Sequence, residues 1–140
     1  GDPETQAVLP LLASSLLEPM LAIASGGSAR DLGLETRPGA AVTTVLASGG
    51  YPAAYEKGRE ITLPADLSRQ DDVLVFHAGT TTRDGRLVTD GGRVLAVTGL
   101  GDDTASAADR SRGAAERIEF EGRQFRGDIG WREMRRARAS

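Results

Sequence analysis

Apolar positions in this chain change their spacing near residue 40. Before it they recur at helical intervals, and after it they cluster in short β-branched runs. Asp2-Pro3 is a helix or turn opening, because Asp accepts from backbone N–H groups and Pro has none to lose. Ser15-Leu16-Leu17-Glu18 reads as a capping box ahead of an apolar run. A helix is expected from about Ser14 to Ala24, with Leu17, Leu21 and Ala24 on one side and Leu16, Met20 and Ile23 beside them. Pro19 then falls in the first turn, where it costs little, and Gly26-Gly27 ends the helix. The expectation is a buried helix, one that exposes its apolar face where an upstream domain is missing. Residues 25–39 carry no periodic apolar pattern and include Gly33 and Arg37-Pro38-Gly39, so a domain boundary is placed there.

From Ala41 the pattern is that of strands. Ala41 to Ala47 is β-branched and stops at Gly49-Gly50. Ile61-Thr62-Leu63 reads as a short strand. Val73-Leu74-Val75-Phe76 is a continuous apolar run, as in a strand covered on both faces. Thr80 to Val88 reads as a hairpin about Asp84-Gly85, a pair suited to a type I′ turn. Asp90-Gly91-Gly92 makes a second turn and Arg93 to Gly99 a returning strand, so residues 73–100 are expected to form one antiparallel meander. Thr104 to Arg117 is an Ala-rich helix with Asp109, Arg110, Arg112 and Glu116 on its polar face. Ile118-Glu119-Phe120 and Arg123-Gln124-Phe125 flank a turn at Gly122. The fold class is α+β, with a strand-dominated C-terminal domain preceded by a helix.

Composition narrows the chemistry. With 140 residues the chain suits one domain, or one domain and the edge of a neighbour. Aromatics make up only 4%, so the core rests on Val, Leu, Ile and Ala, while 18 glycines imply many turns. A net charge of −3 gives no electrostatic footprint for nucleic acid. The absence of cysteine excludes disulfides, thiolate metal sites and cysteine nucleophiles, and fits a cytosolic protein. The run from Ala7 to Ala24 is broken by Pro10, Glu18 and Pro19, so it reads as neither a membrane span nor a signal peptide. Arg132, Arg135, Arg136 and Arg138, interrupted by Glu133, read as a solvated helical face rather than a basic patch.

Several residues carry two readings. Asp2 and Glu4 are either an N-cap with its adjacent acid or carboxylates of a substrate site. Gly49-Gly50-Tyr51-Pro52 is either a strand-ending turn or a concavity of backbone N–H groups that takes an anion. His77 is the only histidine, which excludes a His-cluster metal site; it sits at the core edge or faces a cleft. Thr80 and Thr81 suit a strand as well as they suit a phosphate. Asp128 and Arg132 either bracket a substrate or pair with each other, with Trp131 as a packing anchor.

Four motifs in order join these residues: Gly1-Asp2-Pro3-Glu4-Thr5-Gln6, Ala47-Ser48-Gly49-Gly50-Tyr51-Pro52, Val75-Phe76-His77-Ala78-Gly79-Thr80 and Asp128-Ile129-Gly130-Trp131-Arg132. Thr89-Asp90-Gly91-Gly92-Arg93-Val94-Leu95 and Val97-Thr98-Gly99-Leu100-Gly101 extend the match over nearly the whole chain. The set resembles the C-terminal part of the phosphoribosylamine–glycine ligase (glycinamide ribonucleotide synthetase) family, ATP-grasp enzymes of purine biosynthesis. The resemblance implies an ATP-dependent ligase that joins glycine to 5-phosphoribosylamine through glycyl phosphate, with Mg²⁺ or Mn²⁺, in a cytoplasmic and monomeric enzyme. It implies that the chain starts inside the first signature. The Arg-Phe that precedes Gly1 in the family, and the Glu-Phe-Asn stretch that holds its metal, would then lie upstream, and the fragment alone would be inactive. It implies a barrel-sandwich-hybrid-like cap on an ATP-grasp body, with 1–25 as the edge of that body, 26–40 as a linker and 41–140 as the C-terminal domain. Asp2, Glu4, Gly49, Gly50, Tyr51, His77, Gly79 and Thr80 are the residues it assigns to the substrate side. Ala53 stands where the family often has Gly, and Asp90 where it often has Asn. The cap of another ATP-grasp carboxylate–amine ligase, or a small non-enzymatic β-rich binding module, would share part of this pattern.

Overall fold

In the computed structural model, which describes residues 1–28, 33–137 and 139, helices cover both faces of one three-stranded sheet. The elements in chain order are α1 (Glu4–Val8), α2 (Leu17–Ala24), β1 (Ala40–Ala47), β2 (Val73–His77), β3 (Thr80–Arg83), β4 (Arg86–Thr89), β5 (Arg93–Gly101), α3 (Thr104–Arg117) and α4 (Trp131–Ala137). The sheet runs β1-β5-β2, all antiparallel, and β3 with β4 forms a separate ribbon. The class is α+β.

The central strand, β5, is apolar along most of its length because neighbours flank both edges and helices cover both faces. Thr44 pairs with Val97 and Leu46 with Leu95, which puts these four on one face with the fully buried Ser111 of α3. The Thr44 and Ser111 hydroxyls lie 2.7 Å apart, and Ser111 Oγ donates to the Val97 carbonyl at 2.9 Å. Such a polar seam is tolerated in a core because every hydroxyl finds a partner. Small residues make the approach possible. Ala107, Ala108, Ala114 and Ala115 face the strand from α3, and Gly99 lies flat beneath the Ala107–Ser111 turn. On the opposite face Thr43 and Thr98 share a 2.7 Å hydrogen bond, and Thr98 Oγ1 donates to the Gln6 carbonyl of α1 at 2.9 Å.

Helix α3 keeps the expected bounds, with a cap that the sequence reading did not name. Asp103 accepts from Ser106 N–H at 2.7 Å, and Ser106 Oγ reaches back to the Asp103 N–H. Those bonds favour the ionised carboxylate and lower the Asp103 pKa. A depressed folded pKa makes the contribution complete above the unfolded value near 4, and it drains away as pH falls through the folded value. Asparagine also caps helices but does not titrate. Asp103→Asn should therefore trail the wild-type chain in urea midpoint near pH 7, and the gap should narrow by pH 3. A gap independent of pH would mean that the cap's charge contributes nothing.

Three expectations are corrected. The meander is one: β2 pairs with β5 rather than β3, and the 80–89 ribbon peels away after Gly79. The turn itself is as expected, with Asp84 at φ 49° and Gly85 at φ 75°. Residues 61–63 do not make a regular strand; isolated bridges from Glu60 to Val88 and from Thr62 to Glu119 replace it. Helix α2 starts at Leu17, where Ser15 Oγ accepts from Leu17 N–H at 3.2 Å with no reciprocal bond from Glu18. Its apolar face is exposed, as expected for this chain by itself: Leu17 is 73% accessible and Leu21 65%. The stretch after α2 returns along residues 11–14, with Ala13 N–H on the Glu35 carbonyl and Arg37 N–H on that of Leu11. Arg138 and residues 29–32 of the expected linker lie outside the described residues.

Candidate functional site: the cleft where β5 begins

A β-bulge decides where Arg93 points. Leu46 pairs with Leu95, but the next residue of β1, Ala47, pairs with Arg93 instead of Val94. The extra residue lets Val94 and Leu95, both fully buried, enter the same core cluster as Ile118 and Phe120. It leaves Arg93 on the opposite face, beside Ala47. Bulges re-aim side chains in this manner. There the guanidinium meets Asp2, with Nη2 2.8 Å from Oδ2, across 91 residues of chain. Gln6 Nε2 donates to the other Asp2 oxygen at 3.4 Å, and the Gln6 carbonyl is held by Thr98. Asp2 is thus not an N-cap: no side chain caps α1.

Tyr51 forms the next wall. Its ring packs on Gly92, where any side chain would collide with it. Tyr55 meets the same ring edge-on with centroids 6.1 Å apart. Gln124 Nε2 donates to the Tyr51 carbonyl at 3.0 Å, while Ala47 and Gln124 exchange backbone hydrogen bonds. Tyr51, Arg93, Val45, Phe125 and Arg126 enclose a cleft of about 460 Å³. Gly50 has φ 90°, a conformation that favours glycine. Gly49 lies against the Gly122 backbone. Tyr51 N–H is spent on the Ser48 carbonyl at 3.1 Å, so the loop closes on itself. Ser48 also bonds the carbonyls of Gly91 and Gly92. Gly79 N–H donates to the Arg93 carbonyl at 2.8 Å, and the Gly79 and Gly91 backbones touch, which only glycines permit.

The sequence-chosen residues therefore divide. Asp2, Gly49, Gly50, Tyr51 and Gly79 gather around the start of β5. His77 does not join them. It pairs with Leu95 and so faces the α3 side, where it lines a separate cleft of about 500 Å³ with Leu63, Leu67 and Gln70. Its Nδ1 lies 3.0 Å from Thr80 Oγ1, which occupies that threonine as well. Glu4 is exposed in the first turn of α1, its carboxylate folded over Gly1. An open depression of about 550 Å³ near Glu60, Glu119 and Glu121 is lined by no residue of the four motifs.

The C-terminal motif is also corrected. Asp128 pairs with Arg126 at 2.8 Å rather than with Arg132, and that guanidinium lowers the Asp128 pKa. Arg132 and Arg135 instead stack on the Trp131 ring at 5.4 and 5.9 Å. Trp131 is 39% accessible, so it is no packing anchor; Ile129 and Met134 pack on Val42, Ala107 and Ala108 in its place. Among the described residues no group of three or more His, Asp or Glu is placed to hold a metal ion. No helix among them is long and apolar enough to cross a membrane.

Arg93, Gln124, Phe125 and Arg126 were not singled out as site residues from sequence. A signal existed for the first: Arg93 is the only charged residue in the strand Arg93–Gly101. Gln124 and Arg126 left none, because nothing local tells that their strand end returns to β1.

Residues 41–132 match the family described as "Phosphoribosylglycinamide synthetase, C domain". The chain is similar to a phosphoribosylamine–glycine ligase of Chlorobaculum tepidum, 49% identical over 93% of this chain and 30% of that protein. It is also similar to the trifunctional purine biosynthetic protein adenosine-3 of Gallus gallus, 43% identical over 96% of this chain but 13% of the relative. The crystal structure of a phosphoribosylamine–glycine ligase from Thermotoga maritima superposes with a TM-score of 0.78 and 41% identity, covering 91% of this chain and 30% of that one. The chain spans about a third or less of the length of these relatives. On the extent of the family match and these identities, it belongs to the phosphoribosylglycinamide synthetase C-domain family.

Proposed function

We propose that this chain is the C-terminal part of a cytoplasmic, monomeric phosphoribosylamine–glycine ligase, and that it backs the substrate side of that enzyme's active site. Residues 41–140 serve as the barrel-sandwich-type cap and residues 1–25 as the edge of an ATP-grasp body, with 26–40 between them. The observation that carries this is that Tyr51 and Arg93 line one cleft while Asp2, from a third distant motif, pairs with that arginine. The reading is also supported by relatives three or more times longer and by the apolar face of α2, on which the preceding part of such an enzyme would rest.

In this reading ATP and Mg²⁺ or Mn²⁺ supply the activated phosphoryl group and the charge that stabilises its transfer. The chain's own residues do other work. Glu4 presents its carboxylate to the glycine ammonium, and Asp2, already paired with Arg93, fixes the direction of the motif. Tyr51 and the glycine turn around it shape the wall beside 5-phosphoribosylamine. Arg93 holds Asp2 in place beside that wall.

Two measurements test this. The complete enzyme should consume ATP only when glycine and 5-phosphoribosylamine are both supplied, releasing ADP and phosphate in step with glycinamide ribonucleotide. The 140-residue chain alone should show no binding to ATP·Mg²⁺ in isothermal titration up to millimolar nucleotide. Its single lysine, Lys57, is already 3.4 Å from Asp90 and half-exposed. Micromolar binding by this chain would place the nucleotide site within it and overturn the division of labour.

A further inference from the structure

We infer that Arg93 is a positioning residue for the first motif, and that the bulge at Val94 exists to deliver it there. The inference rests on the proposal that Asp2 lies at the substrate side. Three attachments fix Asp2, and all lead to one strand. Arg93 takes Oδ2 at 2.8 Å, Gln6 reaches Oδ1 at 3.4 Å, and the backbone of Gln6 hangs from Thr98, itself fully buried and bonded to Thr43.

Helix α1 has five residues and no side-chain cap, and none of its residues is buried. A single uncapped turn of helix does not hold its own geometry in water. Its orientation must come from what it touches, and β5 is a rigid central strand with partners on both edges. Arg93 and Thr98 stand five residues apart on β5, yet both face α1. Strict alternation would put residues of odd separation on opposite faces. The bulge inserts the extra residue that reconciles them. A regular strand would send the guanidinium into the Leu46–Ile118 core or push Thr98 away from Gln6.

The pair is half-exposed, 44% on each side, so its contribution to global stability is small. Its value lies in direction. Misplacement of a reacting group by about 1 Å costs on the order of 10²-fold in rate. Arg93→Met keeps the length and removes the charge. Arg93→Lys keeps the charge but loses the planar fork.

Two readouts are taken together. In the complete enzyme, Arg93→Met should lower kcat/KM for glycine by about 10²-fold with the melting temperature nearly unchanged, and Arg93→Lys should recover part of the loss. Asp2→Asn combined with Arg93→Met should be no worse than the poorer single variant, as expected for two residues acting as a unit. In the 140-residue chain, Arg93→Met should speed hydrogen exchange at the amides of residues 5–8 and leave those of β5 and α3 unchanged. Wild-type kinetics, or additive losses, would overturn the inference. So would a kinetic loss without faster exchange, which would make Arg93 a direct substrate contact. If the wild-type enzyme fails to ligate glycine while exchange still responds, the tether stands and the proposed function is what falls.

Discussion

Gly99→Ala is expected to destabilise the chain by about 3 kcal/mol, the upper end for overpacking a filled core. The reason is what the added carbon would meet. It would collide with the Ala107 carbonyl and stand 2.5 Å from the Ser111 nitrogen, both backbone atoms of α3. A flexible side chain could move aside, but a helix turn cannot without lifting the whole element. Lifting α3 would also pull Ser111 from Thr44 and from the Val97 carbonyl, leaving buried polar groups unpaired. For a domain of this size the loss corresponds to a fall of roughly 10 °C in Tm. Gly113→Ala makes the matching control of opposite sign. Gly113 lies inside α3 with ordinary helical backbone and open space where the methyl would go. Alanine there should gain about 0.5–1 kcal/mol through helix propensity. Thermal melts followed by circular dichroism decide both. Equal effects at 99 and 113 would mean that α3 has room to move off β5.

Much of the local structure was legible because it is encoded locally. Asp84-Gly85 needs two positive φ values in succession, and few pairs other than Asn-Gly or Asp-Gly offer them. The bounds of α3 followed from its alanines and flanking turn signals. What the sequence concealed was pairing. That β2 joins β5 and leaves β3 to form its own ribbon depends on the Gly79–Gly91 crossing, a contact between residues 12 apart whose glycines look like any turn. The exposed face of α2 was legible, but an amphipathic pattern states only that a face is to be covered, not by what. In the candidate site, Asp2 and Gly79 both contact Arg93, and Tyr51 with its glycine turn packs on Gly92 beside it. His77 and Thr80 went to the other side, because period-two alternation along β2 sends His77 toward α3 while Phe76 faces α1. Arg93 was missed because a bulge, invisible in the pattern of a single strand, reversed the face on which it lies.

Glu4→Gln in the complete enzyme is expected to lower catalytic efficiency for glycine by roughly 10²-fold, near 2.7 kcal/mol of transition-state stabilisation. Glu4 opens α1 two residues after Asp2, yet the two carboxylates differ in their company. Asp2 is neutralised by Arg93 and anchored by Gln6. Glu4 is exposed, and among the described residues it makes neither an ion pair nor a side-chain hydrogen bond with a cationic partner. A carboxylate without an internal counter-charge is available to a ligand's ammonium, whereas one already paired serves better as a fixed reference. Under the proposed function, glycine's positive end therefore falls to Glu4 and orientation to Asp2. Glutamine keeps the size and the hydrogen-bonding reach but removes the charge, so the loss should appear mainly as a raised KM for glycine. Tm should barely move, because Glu4 caps nothing and buries nothing. Asp109→Asn serves as the control: it alters another exposed carboxylate, paired with Arg112 at 2.6 Å on the far side of α3, and should leave the kinetics unchanged. Steady-state rates at varied glycine, with melting curves beside them, separate the outcomes. An unchanged KM with a lower Tm would make Glu4 part of the scaffold and leave the ammonium to Asp2 alone.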